Sequence, residues 1–237
     1  MPPKDIALAK RSADWYGAAP ALPPALGTWH PAGDRSFYLG RTPARLGVGS
    51  AGVRLRTSTV LSFLSDHAAA RDAVASSVSP EVVKKLGMIP LTSAATDRSE
   101  FLRRPDLGRR LSTASAEIVR QKGTRQPQVQ IVAADGLSAA ALTANLPLVL
   151  PALTAELTRA GVRVGTPFVI SLARVASADE VARILDAEVL CLLVGERPGL
   201  KTAESMGAYV TYMKFKTFTE ALRSVVSNIH KGGLVPD

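Results

Sequence analysis

A run of six apolar residues, Val189–Val194, leads directly into a charged loop, Gly195-Glu-Arg-Pro-Gly199. A strand that is apolar on both faces is buried in the middle of a sheet. In parallel α/β sheets, ligands bind at the loops that follow the carboxyl ends of the strands. The loop sets the carboxylate of Glu196 beside the guanidinium of Arg197, so its residue types and its position predict a binding site.

Two further loops are expected at the same edge of the sheet. Asp135-Gly-Leu-Ser138 follows a predicted strand at 129–134, and Arg174-Val-Ala176 follows one at 168–173. Together the three loops would line a crevice for a large, flat or extended ligand. Ordinary turns would leave the same pattern, and that alternative stays open.

A complete set of catalytic residues is not evident. Asp135–Ser138 lacks the Gly-x-Ser-x-Gly elbow of a serine hydrolase, and Ser138 is typical of a helix cap. No pair of carboxylates stands out for acid and base catalysis. The histidines are far apart, so a metal held by this chain alone is not expected, and His67 is predicted to be a core histidine.

The segment Gly47-Val-Gly-Ser-Ala-Gly52 matches the dinucleotide-binding fingerprint. That motif works only between a buried strand and the start of a helix. Neither flank has that pattern here, which favours a glycine-rich loop.

Composition limits the classes of protein. The chain has 237 residues, 46% of them apolar, one cysteine and a net charge of +9. One cysteine excludes a disulfide framework, and no apolar run approaches the about 18 residues of a membrane span. We therefore expect a soluble intracellular protein. The dispersed basic residues and the aromatic content of 5% give little support to nucleic-acid binding.

The chain divides into three predicted parts: an extended Pro/Ala-rich arm and Gly-rich segment at 1–56, a helical segment at 57–126 and an α/β domain at 127–237. The arm carries Trp15, Tyr16, Trp29, Phe37 and Tyr38 among its prolines. Proline at this density favours extended chain. The arm is either disordered or wraps a partner, since aromatic side chains are costly to leave in water.

Helical periodicity begins at Thr57, and further helices are predicted at 80–86, from Asp97, at 107–121 and at 138–160. The helix at 138–160 is expected to break or kink at Pro147 and Pro151. Ser177-Ala-Asp-Glu180 is predicted to be a capping box. The last helix is expected to carry Phe218, Ala221, Leu222, Val225, Val226 and Ile229.

Strands at 129–134, 168–173, 189–194 and 208–213 alternate with these helices. This order predicts an α/β fold with a doubly wound, mostly parallel sheet flanked by helices.

Several blocks of the sequence resemble the small (light) subunit of ethanolamine ammonia-lyase, and they keep that family's order along most of the chain. The blocks are Arg41-Thr-Pro-Ala-Arg-Leu-Gly-Val-Gly49, Asp66-His-Ala68, Arg71-Asp-Ala-Val74, Arg104-Pro-Asp-Leu-Gly-Arg109, Val129-Gln-Ile-Val-Ala-Ala-Asp-Gly-Leu-Ser-Ala139, Gly195-Glu-Arg-Pro-Gly-Leu200 and Ser227-Asn-Ile-His230.

The resemblance implies an adenosylcobalamin-dependent lyase that converts ethanolamine to acetaldehyde and ammonia by a radical mechanism. It implies a hetero-oligomer in which a separate large subunit binds ethanolamine and the small subunit covers the cobalamin. Two cobalamin contacts of the family map onto Val175 and Glu196. A third, a cysteine in related proteins, is replaced by Val225.

The expected location is the cytoplasm, either free or inside a bacterial microcompartment, with no membrane and no nucleic acid as partner. The resemblance also implies that family members continue with another helix beyond the position of Asp237. The alternatives are a non-catalytic cobalamin- or nucleotide-binding α/β module and a basic nucleic-acid-binding protein.

Overall fold

The computed structural model describes residues 38, 44–46, 48–215 and 219–235. The chain divides into two compact units, Met1–Gly49 and Ser50–Asp237, and the fold below is that of the second. Trp15, Tyr16, Trp29 and Phe37 of the predicted arm lie outside the described residues. Gly47 of the glycine motif and Phe218 of the predicted last helix lie outside them as well.

The described strands form a small hairpin and one larger sheet. The hairpin consists of β1 (Ser50–Ala51) and β2 (Arg54–Leu55). The sheet contains β3 (Ile89–Thr92), β4 (Val129–Ala134), β5 (Phe168–Ser171), β6 (Val189–Gly195), β7 (Met206–Tyr212) and β8 (Ser224–Ile229).

The larger sheet is mixed. Its order is β3-β5-β4-β6-β7-β8, with parallel pairing from β3 to β6 and antiparallel pairing from β6 to β8. The predicted α/β class is thereby confirmed. A doubly wound and mostly parallel arrangement stays a prediction, as do the three domain boundaries.

Among the described residues of the second unit, six helices accompany the strands: α1 (Thr57–Ala75), α2 (Pro80–Lys85), α3 (Arg98–Arg103), α4 (Thr113–Lys122), α5 (Ala139–Arg159) and α6 (Ser177–Leu185). Short 3-10 helices lie at Leu107–Arg109 and Glu220–Leu222. Several predicted caps are confirmed, because Ser79, Asp97 and Ser138 each accept a hydrogen bond from a backbone N–H of the helix that follows.

The core lies on both faces of the sheet. On one face, Val132, Ile170 and Leu192 pack with α4 and α6. On the other, Ile131 and Leu193 pack with α5. Alternate residues of β4 and β6 point to opposite faces, and both sets are buried, which confirms that β6 is a central strand. Each fully buried leucine or isoleucine stabilises the fold by roughly 1.5–3 kcal/mol.

Helix α5 runs without a break through Pro147 and Pro151, so the predicted break is wrong, while the alternative of a kink stays a prediction. By length and composition this helix could cross a membrane. Its buried residues Leu142, Leu146 and Leu150 pack against the sheet.

The predicted last helix is also wrong. Residues Ser224–Ile229 form a strand that pairs antiparallel with β7, preceded by one short 3-10 turn. Val225 and Val226 are β-branched, which disfavours helix and suits a pleated strand. The helical spacing therefore did not decide the structure, because β7 offered an edge for pairing.

Three smaller predictions from the sequence also differ from the structure. The helix predicted at 107–121 begins only at Thr113, because Arg110 and Leu111 are extended and bond to Ser93 and Ala94. Ser177 does not cap α6: its hydroxyl donates to the Arg174 carbonyl, and the Glu180 carboxylate accepts from the Leu111 N–H. His67 is exposed rather than buried in the core.

The buried thiol of β6 leads to a pH-dependent prediction. Burial raises the pKa of Cys191 from its ordinary value of 9.0 to about 11. The folded state therefore holds this proton more tightly, so the stabilisation is present below pH 9 and is lost as the pH rises to about 11. We expect the wild type to lose about 2–3 kcal/mol of unfolding free energy over this interval relative to Cys191→Ala. Urea unfolding of both proteins at several pH values measures the difference, and parallel pH profiles would contradict it.

Candidate functional site

The loops that follow β4 and β6 lie against each other at the carboxyl edge of the parallel strands. The Leu137 N–H donates to the Gly195 carbonyl at 3.2 Å, and the Ser138 hydroxyl donates to the Ala203 carbonyl at 2.5 Å. If Gly195 carried a side chain, its Cβ atom would lie 2.0 Å from the Ser138 carbonyl oxygen. Only glycine permits backbones to approach so closely, so the two loops form one surface.

Asp135 joins the third loop to this surface. Its side chain is almost fully buried, and its carboxylate accepts from the N–H groups of Leu172 and Ala173, each at 2.9 Å. Burial raises the pKa of Asp135, while these two N–H groups and Arg98 oppose the rise. The predicted meeting of the three loops is confirmed, and Asp135 is the residue that holds the β5 loop in place.

Arg98 completes this arrangement from the first turn of α3. Its Nη2 donates to Asp135 Oδ2 at 2.9 Å and to the Ser76 carbonyl at 3.0 Å. Its Nη1 donates to the Gly136 carbonyl at 3.4 Å. One guanidinium thus links the segment after α1 to the loop after β4. The sequence offered no signal for Arg98, because its partner lies 37 residues away.

Arg174 begins the β5 loop and stacks on a buried ring. Its Cζ lies 4.5 Å from the ring centroid of Phe101, and the Cζ of Arg98 lies 5.1 Å from the same centroid. Partial burial, together with the charge of Arg98, lowers the pKa of Arg174. The Arg174 N–H also donates to the Gly108 carbonyl at 2.7 Å. The orientation of this loop is therefore fixed from the side of α3.

Val175, the first predicted site residue, lies in the middle of this turn. Its side chain is half-buried and packs on the core face that contains α4 and α6. Its carbonyl accepts from the Ala178 N–H at 3.3 Å, in the first turn of α6. Backbone and side chain are both anchored, so Val175 offers a fixed apolar surface at the edge.

Glu196, the second predicted site residue, lies directly after β6 and is half-buried. Its carboxylate accepts from the hydroxyls of Ser205 and Ser227, each at 2.5 Å, and from the Asn228 N–H at 3.4 Å. A carboxylate offers about four lone-pair sites, so these three donors orient Glu196 and leave room for one further donor.

Val225 lies two residues before Ser227 on strand β8 and is 49% exposed. The expectation that it lies on the apolar face of a helix is wrong. Val225 instead lies on the same strand as Ser227 and Asn228, which donate hydrogen bonds to the Glu196 carboxylate. The third position of the predicted site is therefore close along the chain to the partners of the second.

A buried ion pair connects α6 to the segment that enters β8. The Arg223 guanidinium donates to both oxygens of Asp179, at 3.2 and 2.8 Å, and both side chains are about 5% exposed or less. Burial raises the pKa of Asp179, and the charge of Arg223 opposes the rise. The pair fixes β8, and with it the hydroxyl of Ser227, relative to the Val175 turn.

The fold is thus of the α/β class, and its three cross-linked loops, which carry Val175 and Glu196, form a candidate binding edge. The family model for the ethanolamine ammonia-lyase light chain (EutC) matches residues 38–237. The chain therefore belongs to the ethanolamine ammonia-lyase light-chain family.

Individual relatives agree with this assignment. The ethanolamine ammonia-lyase small subunit of Clostridium perfringens is 49% identical over 203 residues, covering 84% of this chain and 69% of that protein. The corresponding subunit of Fusobacterium nucleatum is 50% identical over 196 residues, covering 83% and 66%. That of Listeria monocytogenes is 45% identical over 206 residues, covering 86% and 70%. The chain thus spans about two thirds of the length of these curated relatives.

Proposed function

We propose that this chain binds cobalamin as the small subunit of an ethanolamine ammonia-lyase. With a large subunit that binds ethanolamine, it would form acetaldehyde and ammonia. The observation that carries the proposal is the half-buried carboxylate of Glu196, oriented by three donors at the carboxyl edge of the sheet in a chain of this family.

The residues of this edge fit the chemistry of adenosylcobalamin. The corrin ring carries amide side chains, and an oriented carboxylate accepts from an amide N–H. Val175 and Val225 are apolar and not fully buried, so each can contribute a packing surface for the ring. When bound, the cofactor supplies the radical that starts the rearrangement, and the protein supplies orientation and shielding from water.

The proposal includes a large-subunit partner and a cytoplasmic location, free or inside a bacterial microcompartment. The name of the relatives as small subunits supports the partner.

Reconstitution tests the proposal. The chain is mixed with an ethanolamine ammonia-lyase large subunit and adenosylcobalamin, and acetaldehyde is measured. We expect activity to require this chain, and Glu196→Ala to raise the cofactor concentration for half-maximal activity by about 10- to 100-fold. That range corresponds to the loss of a hydrogen bond to a charged group.

Glu204→Ala is the matched control, because Glu204 is an exposed glutamate of the same region. It should leave the half-maximal concentration unchanged. The rate at saturating cofactor should be largely retained in both variants. Activity that persists when the chain is omitted would refute the proposed function, and an unchanged half-maximal concentration for Glu196→Ala would remove that residue from the site.

A further inference from the structure

A basic pocket lies beside the loop that carries Glu196. It has a volume of about 460 Å³ and is walled by helix α1, by α3 and by Arg197 and Pro198 of the loop. His67 and Arg71 are four residues apart on α1, so they share one face of that helix. Arg98 closes the wall toward the sheet.

The charge of this pocket is unbalanced. Its described lining contains three arginines and a histidine but no carboxylate. Arg98 is paired with Asp135. Among the residues that the structure describes, Arg71 and Arg197 make no ion pair, and helix periodicity places Asp66 and Asp72 off the face that carries Arg71. Two guanidinium groups with unused donors therefore face the same cavity.

The walls of the pocket are fixed, which distinguishes it from a cluster of surface cations. Arg98 is held by Asp135, Ser76 and Gly136, and Pro198 restricts the backbone of the opposite wall. The short side chains of Ala70 and Ala75 leave space between these walls. A ligand would thus meet Arg71 and Arg197 across a cavity whose walls are held by Arg98 and Pro198.

We propose that Arg71 and Arg197, with His67, bind a phosphate group. Guanidinium groups donate paired hydrogen bonds that match phosphate oxygens. A tetrahedral phosphate accepts donors from several directions at once, as a pocket with cations on separate walls requires, whereas a carboxylate is planar and has only two oxygens.

Two sources carry this chemistry. One is a free phosphate compound. The other is the phosphodiester in the nucleotide tail of cobalamin, and this second source rests on the proposed function. Both sources place a phosphate group against Arg71 and Arg197, so the site can be tested before the source of its ligand is known.

Calorimetric titration of the full chain with inorganic phosphate tests the site directly. The double variant Arg71→Ala/Arg197→Ala is expected to raise the Kd for phosphate at least about tenfold, since each lost contact involves a charged donor. Arg163→Ala is the matched control, because it removes an exposed arginine from the loop before β5, outside the pocket lining. Its Kd should equal that of the wild type.

Two results would contradict the proposed phosphate site. No heat of binding with wild-type protein at millimolar phosphate, or equal Kd values for the double variant and the wild type, would overturn the phosphate site. Both arginines are exposed, so the double variant should keep the wild-type unfolding midpoint, which thermal unfolding checks.

The two sources of the phosphate group are distinguished in the reconstituted enzyme by comparing the binding of cobalamin with that of cobinamide, which lacks the nucleotide tail. If the tail fills the pocket, the double variant weakens binding of cobalamin but not of cobinamide, and phosphate competes with cobalamin alone. If both corrinoids bind to the double variant as to the wild type while phosphate binding is lost, the ligand is a free phosphate compound. A complex that binds no cobalamin refutes the proposed function and leaves the phosphate result standing.

Discussion

Replacing Asp135 by alanine is expected to lower the free energy of unfolding by about 3–5 kcal/mol, the range for breaking a buried ion pair. The substitution leaves the N–H groups of Leu172 and Ala173 without an acceptor and Arg98 without its counter-charge. The same change frees the turn that carries Val175, so the cofactor concentration for half-maximal activity should also rise. Urea unfolding and the reconstituted assay measure the two effects.

Asp106→Ala is the control for this substitution. It also removes an aspartate from an arginine pair, but Asp106 and Arg104 are each 59% exposed, and exposed pairs contribute little to stability. We therefore expect the free energy of unfolding of Asp106→Ala to be close to that of the wild type. If Asp135→Ala and Asp106→Ala lowered the free energy of unfolding equally, the buried pair would not be what holds the loops together.

The second large effect is expected for Gly195→Ala. The added Cβ would lie 2.0 Å from the Ser138 carbonyl oxygen and 2.6 Å from that of Asp135, so the loops after β4 and β6 must separate. Overpacking of this kind costs about 1–3 kcal/mol or more, because backbone atoms rather than a flexible side chain must move. Glu196 is the next residue, so we expect weaker cofactor binding together with a lower unfolding midpoint.

Gly199→Ala gives the matched comparison within the same loop. There the new Cβ would meet one atom at the ordinary distance of 3.9 Å, the Thr202 carbonyl oxygen. It should change neither the stability nor the cofactor affinity appreciably. If Gly195→Ala behaved like Gly199→Ala in both assays, close contact of the two loops would not be needed for the site.

Local pattern predicted the central part of the fold well. Strand β4 has the predicted bounds, and β6 extends its prediction by one residue. An unbroken apolar run identifies a strand buried on both faces, and such strands bring their carboxyl ends to one edge. The meeting of the Asp135 and Gly195 loops could therefore be predicted from the sequence.

The edges of the sheet could not be predicted in this way. Strand β3 contains Pro90, which hides its pattern and is tolerated because β3 lies at an edge. Strand β8 has apolar residues at spacings that also fit a helix. Its pairing with β7, rather than its own pattern, decides its conformation.

The partners of the candidate site residues depend on the tertiary structure. The position of Glu196 followed from the strand before it, but Ser227 is 31 residues away and belongs to the strand that was predicted as helix. Similarly, the sequence predicts Asp135 as part of a turn, while the role of Arg98 depends on how α3 packs beside the sheet. Sequence pattern located the groups that could meet a ligand and missed the groups that orient them.

The strand order also has a consequence for how the chain folds during synthesis. Strand β3 ends at Thr92, yet its neighbour in the sheet begins only at Phe168. Ribosomes add about 5–20 residues per second, so β3 waits roughly 4 to 15 s for its partner. Pairing between segments so far apart also carries a loop-closure cost and folds slowly. During that interval the nascent chain exposes first β3 and later β4 as unpaired strands, and unpaired strand edges are prone to aggregation.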